Sequence, residues 1–251
     1  MRILKSLFIA ILFCFALLSC KKEEKTETSN SNIDSTNSAS ADTVTKSTDS
    51  AAVFIEMIPA HIESQYTTKF AQVALKHPNL IDKFTLDYPN FKELIEKHTN
   101  YMYAKFYFIQ DSNNSKLNLG VAFSNNDNYK DISSDDKFVL INNTFQSDVN
   151  LQKKIKSYQS SLATQTGFNG KPATECILYK IKEINDYFII KDKSNISRLD
   201  LAMIYFCQAK DDNGSEYNRY ANKYDRISFA VHAVYSDGSM DEGYDAGDLK
   251  P

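Results

Sequence analysis

The chain changes character near residue 50, and that break decides where a core can form. Residues 21–50 hold seven Ser, six Thr, three Asn and ten charged residues, with only Ile33, Ala39, Ala41 and Val44 apolar. Such a stretch cannot bury enough apolar surface to offset the entropy of ordering it. It reads as a tether over residues 20–51, with a root-mean-square reach of roughly 30 Å. From residue 52 to 251 the composition becomes globular, and a segment of that length supports a substantial core. The chain has 15 Tyr and 16 Phe but only 7 Gly and 5 Pro. Few turn formers disfavour a many-stranded sandwich and favour mixed helix and sheet.

Ahead of the tether, Arg2 and Lys5 precede an apolar run, Leu7–Leu18, that stops at Ser19-Cys20. Its 12 residues fall short of the ~20 needed to span a bilayer. A basic start, a short apolar middle and a small residue before the cut are the parts of an export signal. Leu17-Leu18-Ser19-Cys20 resembles the lipobox of bacterial lipoproteins, with Leu18 standing where a smaller residue is usual. The resemblance covers residues 1–20. It implies that 1–19 are a cleaved signal and that Cys20 carries lipid on its sulfur and its amine; two or three chains anchor stably where one does not. An ordinary secretory signal or an uncleaved anchor is the plainer alternative. Lys21-Lys22-Glu23-Glu24 resembles the short signal that sends some Bacteroidetes lipoproteins to the outer face of the outer membrane. The expected location is therefore the outer membrane, lipid-anchored at Cys20 and surface-exposed rather than periplasmic. A charged, solvated tail would read the same way.

Cleavage after Ser19 would remove Arg2 and Lys5, so 29 basic residues become 27 against 32 acidic ones, a net charge of −5. Arg is scarce: Arg2, Arg198, Arg219 and Arg226. An acidic, Arg-poor chain is unsuited to neutralising phosphates, so nucleic acid is not an expected partner.

Within 52–251, Ile62, Tyr66, Phe70, Val73 and His77 recur at helical spacing, and Pro78 follows. A second helix is expected near Asn90–Lys97. Strands follow at Tyr101–Ile109, Leu117–Phe123 and Phe138–Ile141. Val149–Leu162 predicts a helix, and Ile177, Ile181 and Ile184 suggest another after the Gly167–Pro172 loop. Strands are expected at Tyr187–Ile190, Leu199–Cys207 and Arg226–Tyr235. The expected fold is α+β, with antiparallel sheet carrying helices on one face. SNNSKLNLG (112–120) and SNISRLDLA (194–202) share five of nine residues. This suggests a duplicated α-α-β-β-β unit over 60–143 and 145–240, or chance convergence of two strand entries.

No standard catalytic motif is present. His61, His77, His98 and His232 are far apart in sequence, and each is expected to pack or face solvent. Cys176 and Cys207 are the thiols left after the anchor, and an exported compartment permits a disulfide between them. Two small buried side chains would be the bland outcome. Near the C-terminus, Asp237, Ser239, Asp241 and Asp248 resemble positions 1, 3, 5 and 12 of an EF-hand loop. Glu242 occupies the place of the turn glycine, so no cofactor is expected and calcium is a candidate on ligand type alone. Tyr217, Tyr220 and Tyr224 would share one helical face and offer a binding surface, or pack over the sheet. These features favour a non-enzymatic domain that binds an envelope or extracellular protein or a glycan. The alternatives are an envelope hydrolase with a carboxylate and a His joined by folding, and an inhibitor or immunity-type lipoprotein.

Overall fold

The computed structural model describes residues 56–191, 195–244 and 247–251. The expected export signal with Cys20 and the expected tether lie outside the described residues. α1 (Ala60–Ala74) begins after Pro59 and buries Ile62, Tyr66, Phe70 and Val73 along one stripe. β1 (Lys83–Asp87) alternates, burying Phe84 and Leu86. α2 (Tyr88–Lys97) starts where the Asp87 carboxylate accepts from Asn90 N at 3.0 Å, with Pro89 in its first turn. Four strands follow: β2 (Tyr103–Ile109), β3 (Asn118–Ser124), β4 (Asp136–Ile141) and β5 (Thr144–Ser147). Asn142 and Asn143, both left-handed at φ 49 and 67, make the tight β4–β5 turn.

The second half contains α3 (Leu151–Ser160), α4 (Leu162–Thr166), β6 (Cys176–Lys180), α5 (Ile181–Lys191) and β7 (Ile196–Phe206). A two-stranded hairpin, β8 (Ala209–Lys210) with β9 (Glu216–Tyr217), precedes a 3-10 turn at Ala221–Lys223. The last strands are β10 (Arg226–Tyr235) and β11 (Asp248–Lys250).

The strands form two larger antiparallel sheets, one ordered β1-β7-β10 and the other β11-β6-β2-β3-β4-β5. The fold is α+β. Side chains alternate across each strand, so β2 serves two cores. Phe106 and Phe108 face the smaller sheet, where Phe229 and Phe84 meet them at 6.1 and 6.4 Å. Tyr107 and Ile109 face outward and pack under α3 with Leu151 and Ile155. α1 covers the outer face of the smaller sheet, Tyr66 meeting Phe206 at 5.2 Å. α2 and α5 pack on each other, and Phe91 touches the rings of Phe106, Phe145 and Phe188. Among the described residues no helix is long and apolar enough to cross a membrane.

Each half lends its first strand to the other half's sheet. β1 pairs with β7, and β6 pairs with β2. The registers correspond: Phe84 opposite Leu201 and Leu86 opposite Leu199 match Ile177 opposite Phe106 and Tyr179 opposite Ala104. Met203 N donates to Asp82 O at 2.8 Å, as Phe108 N does to Glu175 O at 3.1 Å. In a duplication, α1-β1-α2-β2-β3 would be the counterpart of α3-β6-α5-β7-β10. The offset is 93 residues from Phe84 to Ile177, not the 82 suggested by the matched nonapeptides, which enter β3 and β7. We keep duplication as a proposal, supported by this exchange of strands.

Three sequence expectations are corrected. Residues 176–180 are a strand, not a helix. Their burial on both faces makes a continuous apolar run that periodicity cannot distinguish from a buried helix. Tyr187–Ile190 lies in α5, whose buried Ile181, Ile184, Tyr187 and Phe188 form a helical stripe and leave Ile189 and Ile190 exposed. Tyr217, Tyr220 and Tyr224 do not share a helix; they fall in β9, before the 3-10 turn and after it.

Candidate functional site

A cleft of about 740 Å³ opens between α1, the end of β7 and two turns. One wall is formed by Lys69, Gln72 and Val73 of α1, then Lys76 and His77 in the turn just past the helix. The 3 and 4 spacing places the first three on one side of the helix. This row is distinct from the stripe that α1 buries, meeting it only at Val73.

The opposite wall is the turn at Phe168–Lys171. Asn169 and Gly170 are left-handed at φ 48 and 75, and Lys171 N donates to Phe168 O at 2.8 Å, the signature of a type I′ turn. The floor is Tyr205, Cys207 and Gln208. Phe168 meets the Tyr205 ring edge-on at 5.1 Å, and the Lys69 ammonium lies 6.0 Å from that ring's centroid. Tyr224 and Asp225 close the remaining side.

Asp225 is the organising residue. It is left-handed at φ 65, and its Oδ1 accepts from Asn169 Nδ2 at 2.7 Å and Tyr205 OH at 3.1 Å. Two non-glycine residues in sparsely populated conformations therefore hold each other at the rim. Such outliers persist only where the surroundings fix them, and they concentrate at ligand clamps. Tyr224 OH donates to Tyr217 O at 2.7 Å, which fixes its ring. Burial, with the Asp225 carboxylate beside it, pushes the Tyr205 phenol up, so it stays protonated. Burial also pushes the Cys207 thiol up; Lys69 draws it down and Asp225 raises it again. A raised thiol is a poor nucleophile.

The other residues singled out from sequence are dispersed. Cys176 and Cys207 are free thiols in different places: Cys176 is buried in β6 beneath α3, while Cys207 lines the cleft. The two possible disulfide partners thus stand as separate free thiols. Tyr220 is buried against Tyr66 and Phe206 and meets the Tyr217 ring at 5.9 Å, so of the three tyrosines only Tyr224 lines the cleft. The four calcium candidates are engaged separately. Asp237 accepts from Ser239 N and Oγ, Asp241 pairs with Lys191, and Asp248 pairs with Lys250. Among the described residues no group of three or more His, Cys, Asp or Glu could hold a metal ion.

Folding brings His61 to Asp212 at 3.6 Å, His98 to Asp136 at 3.7 Å and, most closely and in a buried site, His232 to Glu63. The His232 Nε2 lies 2.6 Å from Glu63 Oε1, and its Nδ1 lies 2.9 Å from the Asp241 carbonyl. With acceptors at both nitrogens, the ring is held as imidazolium. Burial lowers its pKa, but the bonds and charges of Glu63 and Asp241 outweigh that and hold it above the ordinary value. The pair ties α1 to β10 and the C-terminal segment. Gly243 passes so close that a side chain there would strike Glu63 and lie 3.1 Å from His232 Cε1.

A raised histidine pKa contributes stability that is complete below the unfolded value of ~6.5. That contribution is lost as pH rises through the folded pKa. The unfolding midpoint in urea is expected to fall as pH is raised above neutrality, and His232→Gln to remove that component. A wild-type midpoint that rises over the same range, with no change in slope in the variant, contradicts the assignment.

The remaining histidines are also placed. His98 stacks on Phe123 at 4.0 Å and bonds the Leu94 carbonyl. His61 faces Asp212 at 3.6 Å. His77 bonds Gln165 at 3.3 Å at the edge of the cleft. The signal missed in the sequence was the exposed Lys69, Gln72 and Lys76 flanking Val73, the last member of the buried stripe of α1. Asn169-Gly170 was a visible turn pair, but nothing in the sequence placed it against α1. Compared with protein-family models, curated proteins and solved structures, the chain matches none.

Proposed function

We propose that the chain is a lipid-anchored envelope lipoprotein whose domain is a non-enzymatic binding module, taking its ligand in the cleft between α1 and the Phe168–Lys171 turn. The carrying observation is the cleft itself. Rings, amides and ammonium groups converge there, and the Asn169–Asp225 bond braces its rim. A cavity of that size with a few oriented polar groups suits a small ligand or one segment of a larger one. The anchor reading rests on Leu17–Cys20, and outward display on Lys21–Glu24.

The hydrolase alternative needs a histidine with a free nitrogen beside an open pocket. Glu63–His232 is buried, and both ring nitrogens are committed. In the cleft, Cys207 lacks an activating environment. His77 stands at the edge of the cleft, where its Nδ1 bonds Gln165 rather than a carboxylate; together these observations favour binding over catalysis.

Arrays of oligosaccharides and peptides probed with the full protein are expected to give binders that a Phe168→Ala, Tyr224→Ala variant loses while keeping its unfolding transition. Binders retained in full by the folded variant, or none at all, would overturn the cleft. The anchor has its own check: an alkyne fatty acid should label the wild type and not Cys20→Ala, and equal labelling refutes it.

A further inference from the structure

We infer that the ligand of this cleft is an anionic oligosaccharide, such as one built from uronic acid units; the inference rests on the binding reading of the site.

The first argument is charge. The cleft is lined by Lys69 and Lys76, with His77 beside them, and by one carboxylate, Asp225. That carboxylate already accepts from Tyr205 and Asn169. The whole chain is acidic, at −3, so the cleft is a local reversal of sign. Lys69 stands in the last turns of α1 and Lys76 in the turn just past its end, so the two ammonium groups enter the cleft from separate positions along one wall. A ligand repeating its negative charge along its length can meet both.

The second argument is the rest of the lining. Phe168, Tyr205 and Tyr224 present aromatic surface. A pyranose has one face of C–H bonds, which matches the negatively polarised face of such rings. Gln72, Asn169 and Gln208 add amides around them. An amide both donates and accepts, as a sugar hydroxyl does. An acidic peptide would satisfy the lysines, but peptide recognition also draws on an open strand edge or a continuous apolar groove. The surround here is polar, and Val73 is its one aliphatic side chain.

The test is calorimetric titration of the full-length protein in detergent micelles with three probes. These are oligogalacturonate, the same oligomer with its carboxylates reduced to alcohols, and polyglutamate. Lys69→Gln with Lys76→Gln removes the charge from exposed positions, and thermal unfolding verifies that this variant folds. The expected result is oligogalacturonate binding about tenfold or more tighter than the reduced oligomer, a factor fit for two partly screened ion pairs. The double variant should bind both oligomers equally, at the affinity the wild type has for the reduced one.

Equal affinity of the wild type for the charged and reduced oligomers would overturn the anionic class and leave the binding cleft standing. Tighter binding of polyglutamate than of oligogalacturonate would overturn it in favour of a peptide. If none of the three binds, the inference fails; the array experiment separately decides whether the cleft binds anything.

Discussion

Lys105→Ala is expected to be among the most damaging single substitutions in the domain, costing about 3–5 kcal/mol, the range for breaking a buried ion pair from one side. Lys105 lies in β2 on the outward face, wholly buried, and its ammonium meets Asp135 Oδ2 at 2.9 Å. It also donates to Asn128 O at 3.0 Å, Asn126 Oδ1 at 3.3 Å and Asp131 O at 3.4 Å. The loop between β3 and β4 is wrapped around this one cation, assisted by Lys137, which donates to the carbonyls of Ile132, Ser133 and Asp135. Without the ammonium, a carboxylate and two carbonyls lose their donor in a site with little water to replace it.

Replacing the pair by Lys105→Met and Asp135→Leu should recover only part of the loss, because the Asn128 and Asp131 carbonyls still need a partner. Urea unfolding of the three proteins measures this, and amide exchange should quicken over 125–135. A loss under about 1 kcal/mol for Lys105→Ala would mean that the loop is not built on it.

Phe106→Ala, one residue along the same strand, is expected to cost about 3–5 kcal/mol for a different reason. Phe106 points into the space between the two sheets. Its ring meets Tyr179 at 5.6 Å, Phe145 and Phe229 at 6.1 Å and Phe91 at 6.3 Å. These rings come from three strands of two sheets and from α2, so the cavity has no single neighbour able to fill it. A fall in thermal midpoint of about 10 °C is the matching observable. Phe106→Leu, which refills much of the volume, should cost clearly less. Equal losses for Ala and Leu would show that the ring contacts, not the volume, set the energy.

These neighbouring positions also explain what could be read from the sequence. β2 is dense in aromatics because it is buried on both faces, and it was legible as a strand for that reason. α1 was legible from its stripe at 62, 66, 70 and 73, and β10 from its predominantly apolar content, broken within the strand only by Ser228 and His232. β6 is buried on both faces too, but Ile177, Ile181 and Ile184 imitate a helical row across the strand–helix junction at Ile181. β1 carries a plain alternation in five residues, too short to stand out beside the helix that follows it.

The candidate site was legible only in pieces. Cys207, Tyr224, His77 and the Gly167–Pro172 loop each drew notice, but as a thiol, a stripe, a stray histidine and a turn. What joins them is the crossing of α1 over the end of β7, a contact between distant segments. Asp225, which braces the rim, gave no sign of its left-handed backbone.

The central claim is that this cleft holds the ligand of an anchored binding domain. Backbone NMR of the full-length protein, with oligogalacturonate added stepwise, tests it most directly. Shifts are predicted at Lys69–His77, Phe168–Gly170, Tyr205–Gln208 and Tyr224–Asp225, with the signals around Lys105 and His232 unmoved. Saturating shifts confined to another surface, such as the loop around Lys105, would contradict the claim.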